Sequence, residues 1–194
     1  MGWIKRLLKT LLSPSAKYSI AALVSIGLLL GVVGVVGFNY SMEVTSTEEF
    51  CTSCHVMADN AGMMLVGTTH FSNESGVRPT CSDCHVPKEF GPKLVRKIQA
   101  SREVWGYLTG IIDTPEKYAA HAPVMKEREI ARLRANDSQE CRNCHDVKQM
   151  NFAQQSAKAQ TYHKMLDTGK RTCIDCHAGL THTPRDQVSL AAPH

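Results

Sequence analysis

The sequence predicts a mainly α-helical fold with much irregular structure: one N-terminal transmembrane helix, then a small domain poor in core-forming side chains. Three observations predict it. Residues 18–40 contain no charged residue. Leu94, Val95, Ile98, Ser101, Val104, Trp105 and Leu108 recur at the spacing of one helix face. The pattern Cys-x-x-Cys-His occurs four times, at Cys51-Thr-Ser-Cys54-His55, Cys81-Ser-Asp-Cys84-His85, Cys141-Arg-Asn-Cys144-His145 and Cys173-Ile-Asp-Cys176-His177, and it uses all eight cysteines.

Residues 1–17 carry Lys5, Arg6, Lys9 and Lys17 and no acidic residue. Met1 to Leu12 suits a short basic amphipathic helix on the membrane surface, ended by Ser13-Pro14-Ser15. The run from Ser19 to Phe38 then supplies about 20 apolar residues, enough for a bilayer core of roughly 30 Å. A cleaved signal peptide would have a shorter apolar region and a small-x-small end. This run closes on Phe38-Asn39-Tyr40, an interfacial aromatic edge. The expectation is an uncleaved single-pass anchor over 18–40 in a bacterial cytoplasmic (inner) membrane. The basic flank keeps the N-terminus in the cytoplasm and sends the rest to the periplasm. Gly27, Gly31, Gly34 and Gly37 form a stripe of small residues. It reads either as a homodimer face or as the glycine common in membrane helices.

The repeated pentapeptide is the attachment signature of c-type haem. Its two thiols, three residues apart, reach the two vinyl groups of one porphyrin, and the next histidine can bind the iron. A zinc site of four thiolates needs no histidine after each pair, and neither does a disulfide framework. With nine histidines in 194 residues, four such placements by chance have a probability on the order of 10⁻⁵. The expectation is four covalently bound haem c, held by Cys51, Cys54, Cys81, Cys84, Cys141, Cys144, Cys173 and Cys176. Haem of this kind is attached outside the cytoplasmic membrane, in agreement with the anchor.

After the anchor fewer than about 40 residues remain per haem, so the haems themselves form the core of a multihaem cytochrome c domain. Aromatic residues are only 6% of the chain, and the formal charge of +4 omits the acidic propionates. Nothing in the sequence resembles a nucleic-acid reader. The tetrahaem domain is expected over 41–184, with a flexible tail over 185–194. The motifs start 30, 60 and 32 residues apart, which groups the haems as pairs 1–2 and 3–4. Between the pairs lies a helix from Lys93 to Leu108, then a second that starts at Asp113-Thr114-Pro115 and is interrupted by Pro123. Its charged continuation runs from Lys126 to Arg134, up to Asn136-Asp137-Ser138. A last helix, roughly Ala153 to Asp167, stops at Gly169. Thr47 and Glu49 suit the start of a short helix into the first motif. Only about ten residues join anchor and Cys51, which limits their separation to about 35 Å.

Low-spin c haem takes a second axial ligand besides the motif histidine. His55, His85, His145 and His177 belong to motifs, which leaves His70, His121, His163, His182 and His194. His70, His163 and His182 lie near motifs and suit the distal positions. His121 reads as a surface histidine, and His194 is the chain end. Three distal histidines for four irons leave one short, and Met57, two residues after His55, marks the first haem as that one. The thioether of Met57 is either a soft iron ligand in competition with His55 or packing against the ring edge.

The chain resembles the NapC/NirT family of membrane-anchored tetrahaem quinol dehydrogenases. The resemblance is carried by Thr47-Glu-Glu-Phe-Cys51, Ser75-Gly-Val-Arg-Pro-Thr-Cys81-Ser-Asp-Cys84-His85-Val-Pro, Ile112-Asp-Thr-Pro, Ser138-Gln-Glu-Cys141-Arg-Asn-Cys144-His145 and Thr172-Cys-Ile-Asp-Cys-His-Ala-Gly-Leu-Thr-His182. These stretches are most similar to the NapC branch, which donates to the periplasmic nitrate reductase. The resemblance implies oxidation of menaquinol or ubiquinol from the membrane pool beside a high-spin haem 1. Electrons would then pass to a periplasmic reductase or its cytochrome subunit, with distal ligands His70, His163 and His182. It also implies a quinol pocket served by Lys97 and Glu103. The blander readings are a headgroup lysine for Lys97 and a surface partner of Lys97 or Arg96 for Glu103. Three functions are weighed: a quinol dehydrogenase feeding nitrate or another reductase, a small-oxyanion reductase at the open haem, and a passive anchored carrier. The absence of a His/Arg cluster near the first motif counts against the second, and the open haem counts against the third.

Overall fold

The computed structural model describes residues 2–12 and 17–182, so Ser13-Pro14-Ser15, the tail expected over 185–194 and His194 lie outside the described residues. Among the described residues the chain is helical with long irregular connections and no strand. It divides into two units, one up to Thr45 and the other from Ser46.

The first unit holds α1 (Gly2–Leu12) and α2 (Ile20–Val44). Helix α1 puts Trp3, Ile4, Leu7 and Leu8, all exposed, at the spacing of one apolar face. The Ser19 hydroxyl accepts from the Ala22 amide and so caps the start of α2. The apolar run carries a mean hydropathy of 2.6 over its best window. It continues as helix four residues past Tyr40, to Val44, where the Thr45 hydroxyl donates to the Ser41 carbonyl. At 25 residues the helix is about 37 Å long, enough to cross a membrane.

The second unit begins with α3 (Glu48–Cys51), capped by Thr47, whose hydroxyl accepts from the Phe50 amide. There follow α4 (His55–Met57), a π-helical turn Ala58–Gly62 and α5 (Met63–Leu65). After a long irregular stretch comes α6 (Cys81–His85), with a capping box made by Thr80 and Asp83. Two long helices follow, α7 (Phe90–Leu108) and α8 (Pro115–Ala135), and then α9 (Gln139–Arg142), α10 (Ala157–His163) and α11 (Ile174–His177).

The turn between α7 and α8 follows from two local rules. Gly110 takes a left-handed φ of 76° after α7, the conformation a helix end commonly assigns to glycine. Thr114 caps α8, with Pro115 in its first turn. Asp113, just before the cap, accepts from Lys117 at 2.7 Å. Helix α8 corrects the expectation of a break at Pro123, because it runs through that residue without interruption. A proline forfeits a single backbone hydrogen bond, and ion pairs of Glu129 and Arg132 hold the second half of α8.

The expected helix Ala153–Asp167 is also corrected. It is divided into a 3₁₀ turn Phe152–Gln154, α10 and a second 3₁₀ turn Leu166–Thr168. Ser156 is the cause, since its hydroxyl accepts from the Ala159 amide and restarts the helix there. The chain does stop at Gly169, with φ 66°.

The apolar side chains buried in this unit are few: Val56, Ile112, Leu133 and Val147. On α7 the apolar face read from the sequence is open, with Ile98 64% and Trp105 67% exposed. Polar groups take part of the interior instead. Ser138, fully buried, accepts from the Ile174 amide, hydrogen-bonds the Thr172 hydroxyl and so ties the third motif to the fourth.

Candidate haem-binding and electron-transfer site

The four motifs fold locally in two ways. The second motif is one continuous helix, α6. In the third and fourth, the histidine amide donates to the carbonyl of the first cysteine, His145 to Cys141 at 2.9 Å and His177 to Cys173 at 3.0 Å. Each of these turns keeps two thiols and one imidazole together. The Thr80 and Thr172 amides donate to Asp83 and Asp175 inside their motifs at 2.8 and 2.9 Å, a shared Thr-Cys-x-Asp-Cys-His device. Those hydrogen bonds hold both carboxyls below the usual carboxylate range. In the first motif the chain is extended at Cys54, with ψ 124°, and His55 starts a new helix. His55 and Met57 then sit two apart on α4, where side chains do not share a face.

Neighbouring motifs touch in chain order. Arg78 pairs with Glu48 at 2.6 Å, and the Cys51 thiol lies beside that of Cys81, which joins the first motif to the second. Arg132 donates to the Cys84 carbonyl at 3.4 Å and to Glu140, next to Cys141, at 2.6 Å, which joins the second to the third. The Cys141 thiol lies beside that of Cys173, and Arg134 of α8 pairs with Asp175 of the fourth motif at 2.6 Å.

The histidines decide what these motifs can hold. His70 lies 6.1 Å from His145 between ring centres, His182 lies 6.0 Å from His85, and His163 lies 6.1 Å from His177. Two imidazoles on opposite sides of one metal ion stand about 6 Å apart, since each metal–nitrogen bond is about 2 Å. The spacing therefore fits an iron between each pair. His70 Nδ1 is buried without a hydrogen-bond partner. Burial, with the other imidazole of the pair, lowers the proton affinity of His70 and of His182 and favours the neutral form that binds metal. Three histidine pairs beside four attachment motifs point to a multihaem cytochrome, and the sequence comparisons agree. Residues 13–187 match the model of the NapC/NirT cytochrome c family, N-terminal region. The chain belongs to that family.

Cytochrome c-type protein NapC of Paracoccus pantotrophus is 45% identical to it, covering 98% of this chain and 85% of that protein. Denitrification system component NirT of Stutzerimonas stutzeri is likewise 45% identical, covering 91% of this chain and 88% of the relative. Among solved structures, the cytochrome c nitrite reductase NrfHA complex bound to the HQNO inhibitor aligns at 26% identity and a TM-score of 0.46. That alignment covers 88% of this chain and 99% of the other. As a NapC/NirT cytochrome, the protein is a membrane-anchored electron-transfer c-type cytochrome with four haem attachment motifs.

The first motif of this NapC/NirT chain has different company. The His55 ring meets Tyr107 of α7 edge-on at 5.9 Å between centres. Lys97 of the same helix lies close enough to Cys51 for its charge to favour the thiolate. Asp113, paired with Lys117, is within electrostatic reach of His55. Glu103 lies one turn before Tyr107, with Oε1 accepting from Arg128 at 2.9 Å and Oε2 buried without a hydrogen bond. Its ion-pair partner is thus Arg128 of α8, where the blander reading has Lys97 or Arg96. Met57 is half-buried, and His121 lies half-buried on α8. Sequence reasoning missed Tyr107, Asp113, Lys117, Glu129 and Arg132. Only Tyr107 carried a signal, as the aromatic four residues after Glu103 on one helix face.

Proposed function

We propose that this protein oxidises membrane quinol at its first haem and passes the electrons in motif order to a periplasmic reductase. By the NapC resemblance that reductase belongs to the nitrate reductase system. The observation that carries the reading is the company of His55: a tyrosine ring stands where the other three motif histidines have a second imidazole. An iron held at the first motif would be left accessible to a substrate, with Lys97 within electrostatic reach of Cys51. Haem c, when bound, supplies reversible one-electron Fe(III)/Fe(II) chemistry. Its proposed attachment residues are the eight motif cysteines. The proposed iron ligands are His85 with His182, His145 with His70, and His177 with His163. For the first haem, one of His55 and Met57 is the ligand, since their spacing on α4 prevents both from facing one ring.

Quinol oxidation gives quinone, two electrons and two protons. Lys97 is suited to bind a quinol oxygen and stabilise negative charge as the proton leaves. The Oε2 of Glu103, without a partner while Arg128 holds Oε1, is suited to take that proton. Short contacts from motif to motif favour electron passage in the order one to four. Helix α2 and the basic α1 support a single-pass anchor in the cytoplasmic membrane with the haems in the periplasm. Menaquinol or ubiquinol of the membrane pool is the proposed substrate.

The test is turnover of the purified, haem-loaded protein in lipid nanodiscs with a reduced quinone analogue. Wild type is expected to be reduced by the quinol, Lys97→Gln about 10²-fold more slowly, and Glu103→Gln about 10²-fold more slowly with a changed pH profile. Reduction by dithionite but not by quinol, in wild type, would overturn the reading.

A further inference from the structure

Of the four motif histidines, His85 alone, among the described residues, hydrogen-bonds a carboxylate. Its Nδ1 lies 2.8 Å from Glu129 Oε1. An ionised carboxylate only accepts, so Nδ1 carries the hydrogen and the Nε2 lone pair is left for a metal; the His182 ring stands 6.0 Å from the His85 ring between centres. Glu129 cannot swing from this position. Arg132 donates to both its oxygens, at 2.7 Å from Nη2 and 3.1 Å from Nε, and Arg96 approaches the second at 3.4 Å. Both arginines are in turn fixed to the backbone of the motif, Arg96 through the His85 carbonyl at 3.1 Å and Arg132 through the Cys84 carbonyl at 3.4 Å. At His163, also in a ligand position, Nδ1 meets the neutral Gln155 amide oxygen at 2.7 Å instead of a carboxylate.

We propose that Glu129 is a positioning residue that gives the second haem a lower reduction potential than a neutral partner of His85 would. The inference rests on the proposed ligation of that haem by His85. A hydrogen bond from an imidazole to a carboxylate makes the imidazole a stronger donor. A stronger donor favours Fe(III) over Fe(II), so the potential falls. The clamp of Arg96 and Arg132 holds the charge in register with the ring and links the device to Glu140 and the third motif.

The experiment is a spectroelectrochemical titration of the haem-loaded full chain, with low-temperature EPR on the same samples. Glu129→Gln keeps the size and the acceptor oxygen but removes the charge. It is expected to move one of four midpoint potentials in the positive direction, shift the g values of one low-spin signal and leave the spin-state count unchanged. Glu129→Asp is expected to return that potential toward wild type. If Glu129→Gln fails to load haem, Arg96→Gln serves in its place, and the same single potential is expected to move negative. No change, or an equal shift of all four, overturns the proposal, as does a lower melting temperature with the four potentials in place. A wild-type spectrum without three low-spin signals would instead overturn the ligand assignment beneath it.

Discussion

The first motif and the other three share five residues, yet they make different sites. In motifs two to four the chain winds as one turn from first cysteine to histidine, and a second imidazole stands about 6 Å from the first. In the first motif the chain is extended at Cys54, and His55 meets Tyr107. The pentapeptide fixes where haem is attached. The segment folded against each motif differs: a histidine ring stands at motifs two to four, and a tyrosine, with a lysine and two carboxylates nearby, stands at the first.

The largest effect that can break this contrast comes from the distal histidines. His70→Ala, His163→Ala and His182→Ala are each expected to convert one low-spin haem to high-spin, so that the high-spin count rises from one to two. Quinol-driven reduction of an acceptor should fall by about 10²-fold or more, because the relay is cut. Tyr107→Phe should leave the count alone, and EPR of each variant checks both statements. The next effect sharpens the contrast within the first motif. Met57→Leu should change the spectrum of the high-spin haem if the thioether is its ligand and leave it intact if His55 is. Either result leaves the three low-spin signals as they are.

A smaller effect concerns the joint between the third and fourth motifs. Ser138→Ala leaves the Thr172 hydroxyl and the Ile174 amide buried and short of a partner, at a cost of about 1–3 kcal/mol. A chain of this size should melt roughly 3–10 °C lower, with the haem spectra unchanged. The smallest effect is a pH dependence. Asp83 and Asp175 have folded proton affinities below those of the unfolded chain. Their contribution is therefore present above the ordinary carboxylate range, near about pH 4, and is lost as pH falls through the lowered folded values. Asp83→Asn and Asp175→Asn should flatten the acid limb of stability between about pH 5 and 2, measured by thermal melts. The first motif, with serine and threonine between its cysteines, supplies no such term.

Much of this was legible in the sequence, for a simple reason. Attachment of haem and passage through a bilayer both depend on local spacing, so the four motifs and the apolar run could be read directly. The three histidines proposed as distal ligands, His70, His163 and His182, were legible by subtraction. Their pairing was not. His70, between the first and second motifs, stands at His145 of the third, and His182, after the fourth, stands at His85 of the second; only His163 serves its neighbour. Two halves that look separate along the chain thus exchange histidines, a long-range choice that no local pattern encodes. The continuity of α8 through Pro123 was hidden too, because it depends on the ion pairs of Glu129 and Arg132 with distant residues. The apolar stripe of α7 was visible, but in a domain with so few buried side chains the stripe does not imply a protein partner.

The most direct test of the contrast is low-temperature EPR of the oxidised, haem-loaded wild type. One high-spin haem beside three low-spin haems is the result this account predicts, with Tyr107→His converting the high-spin signal to a fourth low-spin one. Four low-spin haems in the wild type would contradict it, because the first motif would then have a sixth ligand and no open iron for quinol.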